Sequence, residues 1–305
     1  MAGHSHSVFR ALLLILFGAT CISFAPVFVK LIGPDKIGPT AIGFWRLVIG
    51  AGLLFGIAGL QRQSLTLPRS IYLFSALAGL TFAADMFLWT RSIFYCGSGM
   101  ATILSNTQVF ASAILSYFVF KERLTFKFFV AAISAFVGVG LLVGLGSSEV
   151  VFTERYVLGI VLGIASGLAY ANYIICLKKV GHHPDLKAMI TLMAWTSAFS
   201  ALFLGISVTI EGATFLPPDA RTWLSLFGAG LVAQTLGWLS ISSSLPKLDA
   251  SRAGLALLLQ PTLSMVWGVL LFGEFLTAVQ VFGALITLAA IYFGSVRQGA
   301  KDGVA

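Results

Sequence analysis

Hydrophobic residues in this chain fall into long continuous runs, and charged residues mark where the runs end. No Asp, Glu, Lys or Arg occurs within 92–120 or 222–246. A helix needs about 20 apolar residues to cross the hydrocarbon layer of a bilayer. The runs therefore predict ten membrane-spanning helices, near residues 10–30, 40–60, 71–93, 100–120, 126–146, 157–177, 188–208, 223–244, 252–272 and 278–296.

The predicted fold class is an all-α polytopic membrane protein. The runs are apolar on every face, whereas the strands of a membrane β-barrel alternate polar and apolar residues. The composition agrees, because 58% of the residues are hydrophobic and only 10% are charged. That balance excludes a disordered chain, which needs low hydrophobicity and high charge, and it disfavours a soluble globular domain.

The distribution of Lys and Arg predicts the orientation of the helices. If the N-terminus is cytoplasmic, most of the 19 Lys and Arg residues fall in cytoplasmic loops. We therefore expect a multi-pass protein of the cell (inner or cytoplasmic) membrane with both termini in the cytoplasm. The net charge of +8 then reports topology. It does not indicate nucleic-acid binding, because the basic residues are spread over short segments.

The second half of the chain repeats the first. With a shift of 152 positions, residues 122–125 (ERLT) align with 274–277 (EFLT), and Gln108 aligns with Gln260. The expected units are 1–148 (helices 1–5) and 149–305 (helices 6–10). Because five is odd, the second unit enters the membrane from the opposite side. Such inverted repeats are a recurring design of transporters, with the substrate site between the halves near the midplane.

Two motifs, one in each half of the chain, are similar to those of a known family. A helix ends in FKERLT in the first half and FGEFLT in the second, and the run LLLQPTLSMVWGVLLFGE precedes the latter. These regions, 98–142 and 250–294, resemble the EamA domain of the drug/metabolite transporter superfamily. Val109 stands where many relatives have proline. The resemblance implies ten helices, cytoplasmic termini and transport of a small organic solute, usually export, and it leaves the substrate open.

Asp85 is the acidic residue placed well inside a predicted span, where a lone carboxylate is costly. One interpretation is a structural ion pair with Arg46 of the preceding span. The other is a proton-binding or substrate-binding role, and the two can coexist. Trp89 lies one turn from Asp85 on the same helix face. An acid beside an indole suits an ammonium group, through charge and cation–π attraction.

Other polar and aromatic residues inside the spans have two interpretations. Carboxamides in a membrane must find hydrogen-bond partners, so they either join helices or line a cavity. The aromatic rings either pack in the protein or contact a ligand. The candidate substrate-binding residues are Asp85, Trp89, Asn106, Gln108, Tyr170, Gln234, Trp238 and Gln260.

Three smaller features concern helix ends and helix packing. Glu122 and Glu274 are expected to serve the tight turns where they lie, with gating as the alternative. Thr125 and Thr277 are expected to cap the helices that follow, with Gln280 completing a capping box in the second case. Two glycine ladders predict close helix packing: Gly159, Gly163 and Gly167 in the sixth span, and Gly52 and Gly56 in the second.

Enzymatic function is not expected. The chain has no HExxH and no GxxxxGK[ST] motif, and no histidine lies in a predicted span. We also expect no metal and no cofactor. The predicted function is a secondary transporter that works by alternating access and exports an amino acid or similar amphipathic metabolite. The alternatives are a lipid-linked substrate flippase and a cationic drug efflux protein. Expected partners are the small-molecule substrate, the lipid bilayer and protons as coupling ion, in a monomer or weak homodimer.

Overall fold

The computed structural model describes residues 2–121, 124–180, 186–244, 247–248 and 250–295, so Glu122 lies outside the described residues. Ten apolar helices match the ten predicted spans. Eight are long enough to cross a membrane and two are shorter. In chain order they are α1 Phe9–Ile32, α2 Pro39–Leu60, α3 Arg69–Cys96, α4 Ser98–Phe120, α5 Phe126–Leu142, α6 Glu154–Leu177, α7 Met189–Glu211, α8 Ala220–Ser244, α9 Leu255–Phe272 and α10 Ala278–Gly294.

Two helices are interrupted at equivalent places in the two halves of the chain. Helix α4 is broken at Thr107, and α9 is broken at Leu258. Helix α8 contains a π-helical segment, Ala229–Gly237, in which the Thr235 hydroxyl donates to the Gly230 carbonyl at 2.9 Å. Breaks and π segments expose backbone groups inside a bundle and often mark functional sites in membrane proteins.

Glycine allows α6 to pack closely against α3 and α4. A Cβ at Gly163 would lie 2.8 Å from the Ser92 hydroxyl, and the Ser92 hydroxyl donates to the Gly159 carbonyl at 2.7 Å. The predicted ladder on α6 is therefore confirmed. The prediction for α2 is wrong, because Gly52 and Gly56 are exposed and a Cβ at either would meet no neighbouring atom. They lie on the outer surface of the bundle.

Helices α5 and α10 form a second close pair. A Cβ at Gly138 would approach the Thr287 backbone nitrogen to 2.7 Å, and Gly283 lies against the backbone of Leu142. Neither helix contributes a residue to the cavity described below, as far as the described residues show. The pair thus supports the bundle, and the described lining residues of the cavity come from α1, α2, α3, α4, α6, α8 and α9.

Candidate functional site

A cavity of about 380 Å³ lies between the two halves of the chain. This volume is in the range of small-molecule sites. Seven of the eight candidate substrate-binding residues line it: Asp85, Trp89, Asn106 and Gln108 from the first half, and Tyr170, Trp238 and Gln260 from the second. The structure thus brings together side chains that are far apart in sequence, although it does not test what they bind.

Gln234 is the exception among the candidates, since in the described part of the chain it is not a lining residue. It is buried in the π-helical segment, where its amide donates to the Ser197 hydroxyl at 3.2 Å. A Cβ at Gly50 would collide with Gln234 Cγ, so this side chain fills a contact between α2 and α8. The geometry is that of a helix-joining carboxamide, which was one of its two interpretations.

The cavity also contains residues that sequence reasoning did not select, including Phe82 and Tyr173. Phe82 lies three residues before Asp85, and Tyr173 lies three residues after Tyr170. Residues spaced three or four apart share a helix face. The spacing therefore could have identified both residues, once Asp85 and Tyr170 were assumed to face a cavity.

Aromatic rings form one wall of the cavity. Phe82 and Tyr173 stack with ring centroids 4.9 Å apart, and Tyr170 lies 5.3 Å from Tyr173. Tyr170 and Trp238 continue this wall from α6 to α8, with centroids 6.3 Å apart. Such a surface suits the apolar part of a ligand, because large rings bury much area with few rotatable bonds.

Arg46 and Asp85 both face the cavity, at exposures of 4% and 3%. They lie near enough to interact electrostatically. In the described structure, however, the predicted direct ion pair between them is not formed. Arg46 is placed over the Trp89 ring instead, with Cζ 5.8 Å from the ring centroid. Arg46 Nε and Asp85 Oδ1 have no hydrogen-bond partner among the described residues.

The helix breaks place carboxamides at the cavity wall. Gln108 follows the break in α4, and Gln260 follows the break in α9. Gln108 Oε1 is buried without a partner in the described part of the chain, whereas Asn106 donates to the Thr102 carbonyl at 2.8 Å. Equivalent positions of the repeat thus present amides to one shared space.

One end of the bundle is closed by ion pairs that join the two halves. We call it the ion-pair end. The three ion pairs of the described residues all lie there: Lys30–Glu274 at 2.5 Å, Lys36–Asp219 at 2.5 Å and Arg91–Glu211 at 2.6 Å. In each pair the basic residue comes from the first half and the acidic residue from the second.

Glu274 makes the most extensive contact at this end. Its Oε1 accepts from the Ser98 backbone N–H and the Ser98 hydroxyl, each at 2.8 Å, as well as from Lys30. Ser98 begins α4, so a carboxylate from the end of α9 satisfies the first turn of α4 and faces the positive end of its dipole. The contact therefore links three helices, which is more than the local turn role expected from the sequence.

Asp219 lies just before α8 and is partly exposed. It accepts from Lys36, and its Oδ1 accepts from the Thr222 backbone N–H at 2.7 Å. The hydrogen bond from Lys36, and then those from Thr222, hold the pKa of the Asp219 carboxyl well below its usual range. The carboxyl therefore stays ionised, and able to pair with Lys36, at any pH used in a transport assay.

The chain matches the model of the EamA-like transporter family twice, over residues 9–144 and 157–296. A Salmonella typhimurium protein named "Probable amino-acid metabolite efflux pump" is 28% identical over 70% of this chain and 72% of its own length. The Escherichia coli protein of the same name is 27% identical over the same shares of the two chains. The "Uncharacterized transporter YdfC" of Bacillus subtilis is 25% identical over 86% of this chain and 83% of its own.

A solved crystal structure has the same fold, with a TM-score of 0.65 at 16% identity, and the match covers 94% of this chain and 98% of the other. The ten helices of the present chain divide into the two five-helix repeats that the sequence predicted. No group of three His, Cys, Asp or Glu side chains that could hold a metal ion occurs among the described residues. This multi-pass membrane protein belongs to the EamA-like transporter family.

Proposed function

We propose that the protein is a secondary transporter that exports an amino acid or a similar amphipathic metabolite. The observation that carries the proposal is the cavity between the two repeats, which combines buried charges with an aromatic wall. A membrane protein has little reason to bear the cost of buried charges unless they serve a function. The names of the Salmonella and Escherichia coli relatives point in the same direction.

Transport would proceed by alternating access. At the ion-pair end, three contacts between the repeats oppose opening, and the sequence predicts that this end faces outward. The cavity extends toward the other end, where Leu177 and Ile241 lie in the last turns of α6 and α8. In this proposal the conformation described here, with the ion-pair end closed, accepts substrate from the cytoplasm. Breaking the ion pairs then lets the repeats separate on the outer side.

The placement in the inner membrane, the cytoplasmic termini and the monomeric or weakly dimeric state belong to the same proposal. So does proton coupling, with Asp85 as the proton-binding group. Replacement of Asp85 by Asn tests the coupling, with the amount of protein in the membrane as control. Coupling requires that transport by Asp85→Asn be lost or become insensitive to pH. Unchanged transport with an unchanged pH response would refute it.

A cationic drug fits the cavity less well than an amphipathic metabolite does. Asp85 and the aromatic rings would attract a cation, but the positive charge of Arg46 faces the same space. A bare cation would be repelled by Arg46 at close range, since the screening by water is weak in a buried site. Among the described lining residues, no specific contact favours a lipid-linked substrate.

The test is solute counterflow in proteoliposomes preloaded with unlabelled amino acids. We expect uptake of labelled substrate, and we expect Asn106→Ala to reduce it several-fold. Asn172→Ala is the matched control, because Asn172 donates to the Leu168 carbonyl at 2.9 Å in the same way but is exposed on the outer surface. Absence of counterflow with amino acids, nucleobases, vitamins and cationic dyes would contradict the proposal, and flux of the dyes alone would favour drug efflux.

A further inference from the structure

Arg46 and Asp85 carry opposite charges in one cavity, yet within the described structure neither forms an ion pair with the other. Elsewhere the same chain pairs its charges closely, with N–O distances of 2.5 to 2.6 Å. Both residues are more than nine-tenths buried. Each retains a polar atom, Nε of Arg46 and Oδ1 of Asp85, without a hydrogen-bond partner among the described residues.

Two buried charges of opposite sign, each with one polar atom that has no hydrogen-bond partner among the described residues, favour a particular ligand. An uncompensated charge in a low-dielectric site is costly, and a bound group of opposite charge removes that cost. A bare cation would satisfy Asp85 but oppose Arg46, and a bare anion would do the reverse. A ligand that carries one positive and one negative group satisfies both.

The surroundings of each residue support this assignment. The guanidinium of Arg46 lies over the Trp89 ring, with Cζ 5.8 Å from the ring centroid, and its Nε has no hydrogen-bond partner among the described residues. A guanidinium can hold a carboxylate with two parallel hydrogen bonds. Asp85 lies one turn from Trp89, so an ammonium beside Asp85 also has an aromatic neighbour. Both groups therefore lie within the reach of one small molecule.

The aromatic wall indicates which side chain the ligand carries in addition to its two charged groups. The stacked rings of Phe82 and Tyr173 extend from the helices that carry Asp85 and Tyr170, and Trp238 continues the surface. The volume of about 380 Å³ admits a molecule of amino-acid size with a large side chain. A polar or short side chain would leave this wall without contacts.

We propose that Arg46 and Asp85 together determine specificity for a zwitterion, an α-amino acid with an apolar or aromatic side chain. Arg46 binds the carboxylate, Asp85 binds the ammonium group, and the rings of Phe82, Tyr173 and Trp238 contact the side chain. This inference rests on the proposed transport function and narrows its substrate class. It gives Arg46 a ligand-binding role in place of the structural pairing with Asp85.

The first test uses the unaltered protein, so it does not depend on whether a variant folds. Phenylalanine, phenethylamine and 3-phenylpropanoate share one ring but carry both charges, the positive charge alone and the negative charge alone. Binding to purified protein is measured by calorimetry or by thermal shift. Phenylalanine should bind at least tenfold more tightly than either analogue. Equal or tighter binding of phenethylamine overturns the inference, as does failure of all three to bind.

The second test assigns each charge to its residue. Arg46→Gln should weaken the binding of phenylalanine at least tenfold and leave that of phenethylamine unchanged or improved. Asp85→Asn should likewise weaken the binding of phenylalanine at least tenfold, but it should leave the binding of 3-phenylpropanoate unchanged or improved. Arg155→Gln is the matched control, because Arg155 also lies over an aromatic ring, 4.9 Å from the Tyr95 centroid, but is exposed. Arg46→Gln that folds and keeps full affinity for phenylalanine overturns the assignment.

Counterflow separates this inference from the proposed function. If the protein transports another metabolite class but does not bind phenylalanine, the zwitterion site is wrong and the transport function stands. If no solute crosses the membrane through the protein, the proposed function itself fails. Transport of phenylalanine that both phenethylamine and 3-phenylpropanoate fail to inhibit is the result expected from a site that requires both charges.

Discussion

Helices α4 and α9 occupy equivalent positions in the two repeats, yet different residues accompany the break in each. In α9, Pro261 follows the break at Leu258, and its ring removes the hydrogen bond to the Leu257 carbonyl. In α4 the equivalent residue is Val109. There the Thr107 hydroxyl donates to the Leu104 carbonyl at 2.6 Å, and no proline accompanies this bond. In α9 the Thr262 hydroxyl donates to the Leu258 carbonyl at 2.8 Å, in addition to the proline.

The break is therefore common to both repeats, whereas the proline is not. Side chains that bond to nearby carbonyls can bend a helix much as proline does. In both helices the break is followed by a glutamine that lines the cavity, Gln108 in α4 and Gln260 in α9. The function we assign to the break is therefore to turn these amides toward the substrate path.

The largest change in stability should come from single prolines placed in α4, and it should depend on which of two positions is replaced. Val109 lies in the first turn after the break, where proline is tolerated, so Val109→Pro should change the free energy of unfolding by less than about 1 kcal/mol. Ile114→Pro lies within the continuous helix and should cost about 3 kcal/mol. Thermal unfolding in detergent measures both. Equal destabilisation by the two variants would show that α4 is not broken at Thr107.

The second effect concerns the contact that joins α9 to α4. Glu274→Gln removes the charge that binds Lys30 and the first turn of α4, and we expect a loss of about 2 kcal/mol in unfolding free energy. Asp219→Asn breaks a more exposed pair, with side chains 39% and 41% accessible, and should cost less. Thermal unfolding again distinguishes them. A larger loss for Asp219→Asn would reverse our ranking of the two contacts.

The smallest change in stability should come from the threonines in the turns that follow α4 and α9. Thr277 and Gln280 form the predicted capping box, in which each backbone N–H donates to the other side chain, at 3.0 and 3.2 Å. Thr125 precedes α5 without a capping hydrogen bond from its side chain, so the prediction that it caps this helix is wrong. Thr277→Ala should therefore lower stability by about 1 kcal/mol, and Thr125→Ala by much less. Similar losses would mean that both threonines cap their helices.

The sequence predicted the ten helices well because membrane burial imposes long apolar runs that charges interrupt. It could not tell which faces of those helices meet. Gly52 and Gly159 begin ladders of the same spacing, yet the first faces outward and the second packs against a neighbour. The contact between Glu274 and Ser98 joins residues 176 positions apart. Local spacing contains no signal for such a contact.

The residues of the candidate site could be predicted from the sequence, but the contacts that each of them makes could not. Intramembrane polar residues are costly, so their presence marked most of the cavity before the fold was known. The same argument selected Gln234, which joins α8 to a serine of α7. It also paired Arg46 with Asp85, because a pair is the simplest way to satisfy two buried charges. Only the three-dimensional arrangement shows that both face a cavity large enough for a ligand.

We propose that substrate binds between the repeats, in a cavity that opens away from the ion-pair end. Cysteine labelling can detect both the side from which the cavity opens and its occupation by substrate. In a protein without its three native cysteines, Ser105→Cys lines the cavity and Ser64→Cys lies in an exposed loop. We predict that a membrane-impermeant maleimide reaches Ser105→Cys from the cytoplasmic side, and that phenylalanine slows this labelling without affecting Ser64→Cys. Labelling of Ser105→Cys from the outer side alone, or at a rate that no substrate changes, would show that the substrate does not bind in a cavity open to the cytoplasm.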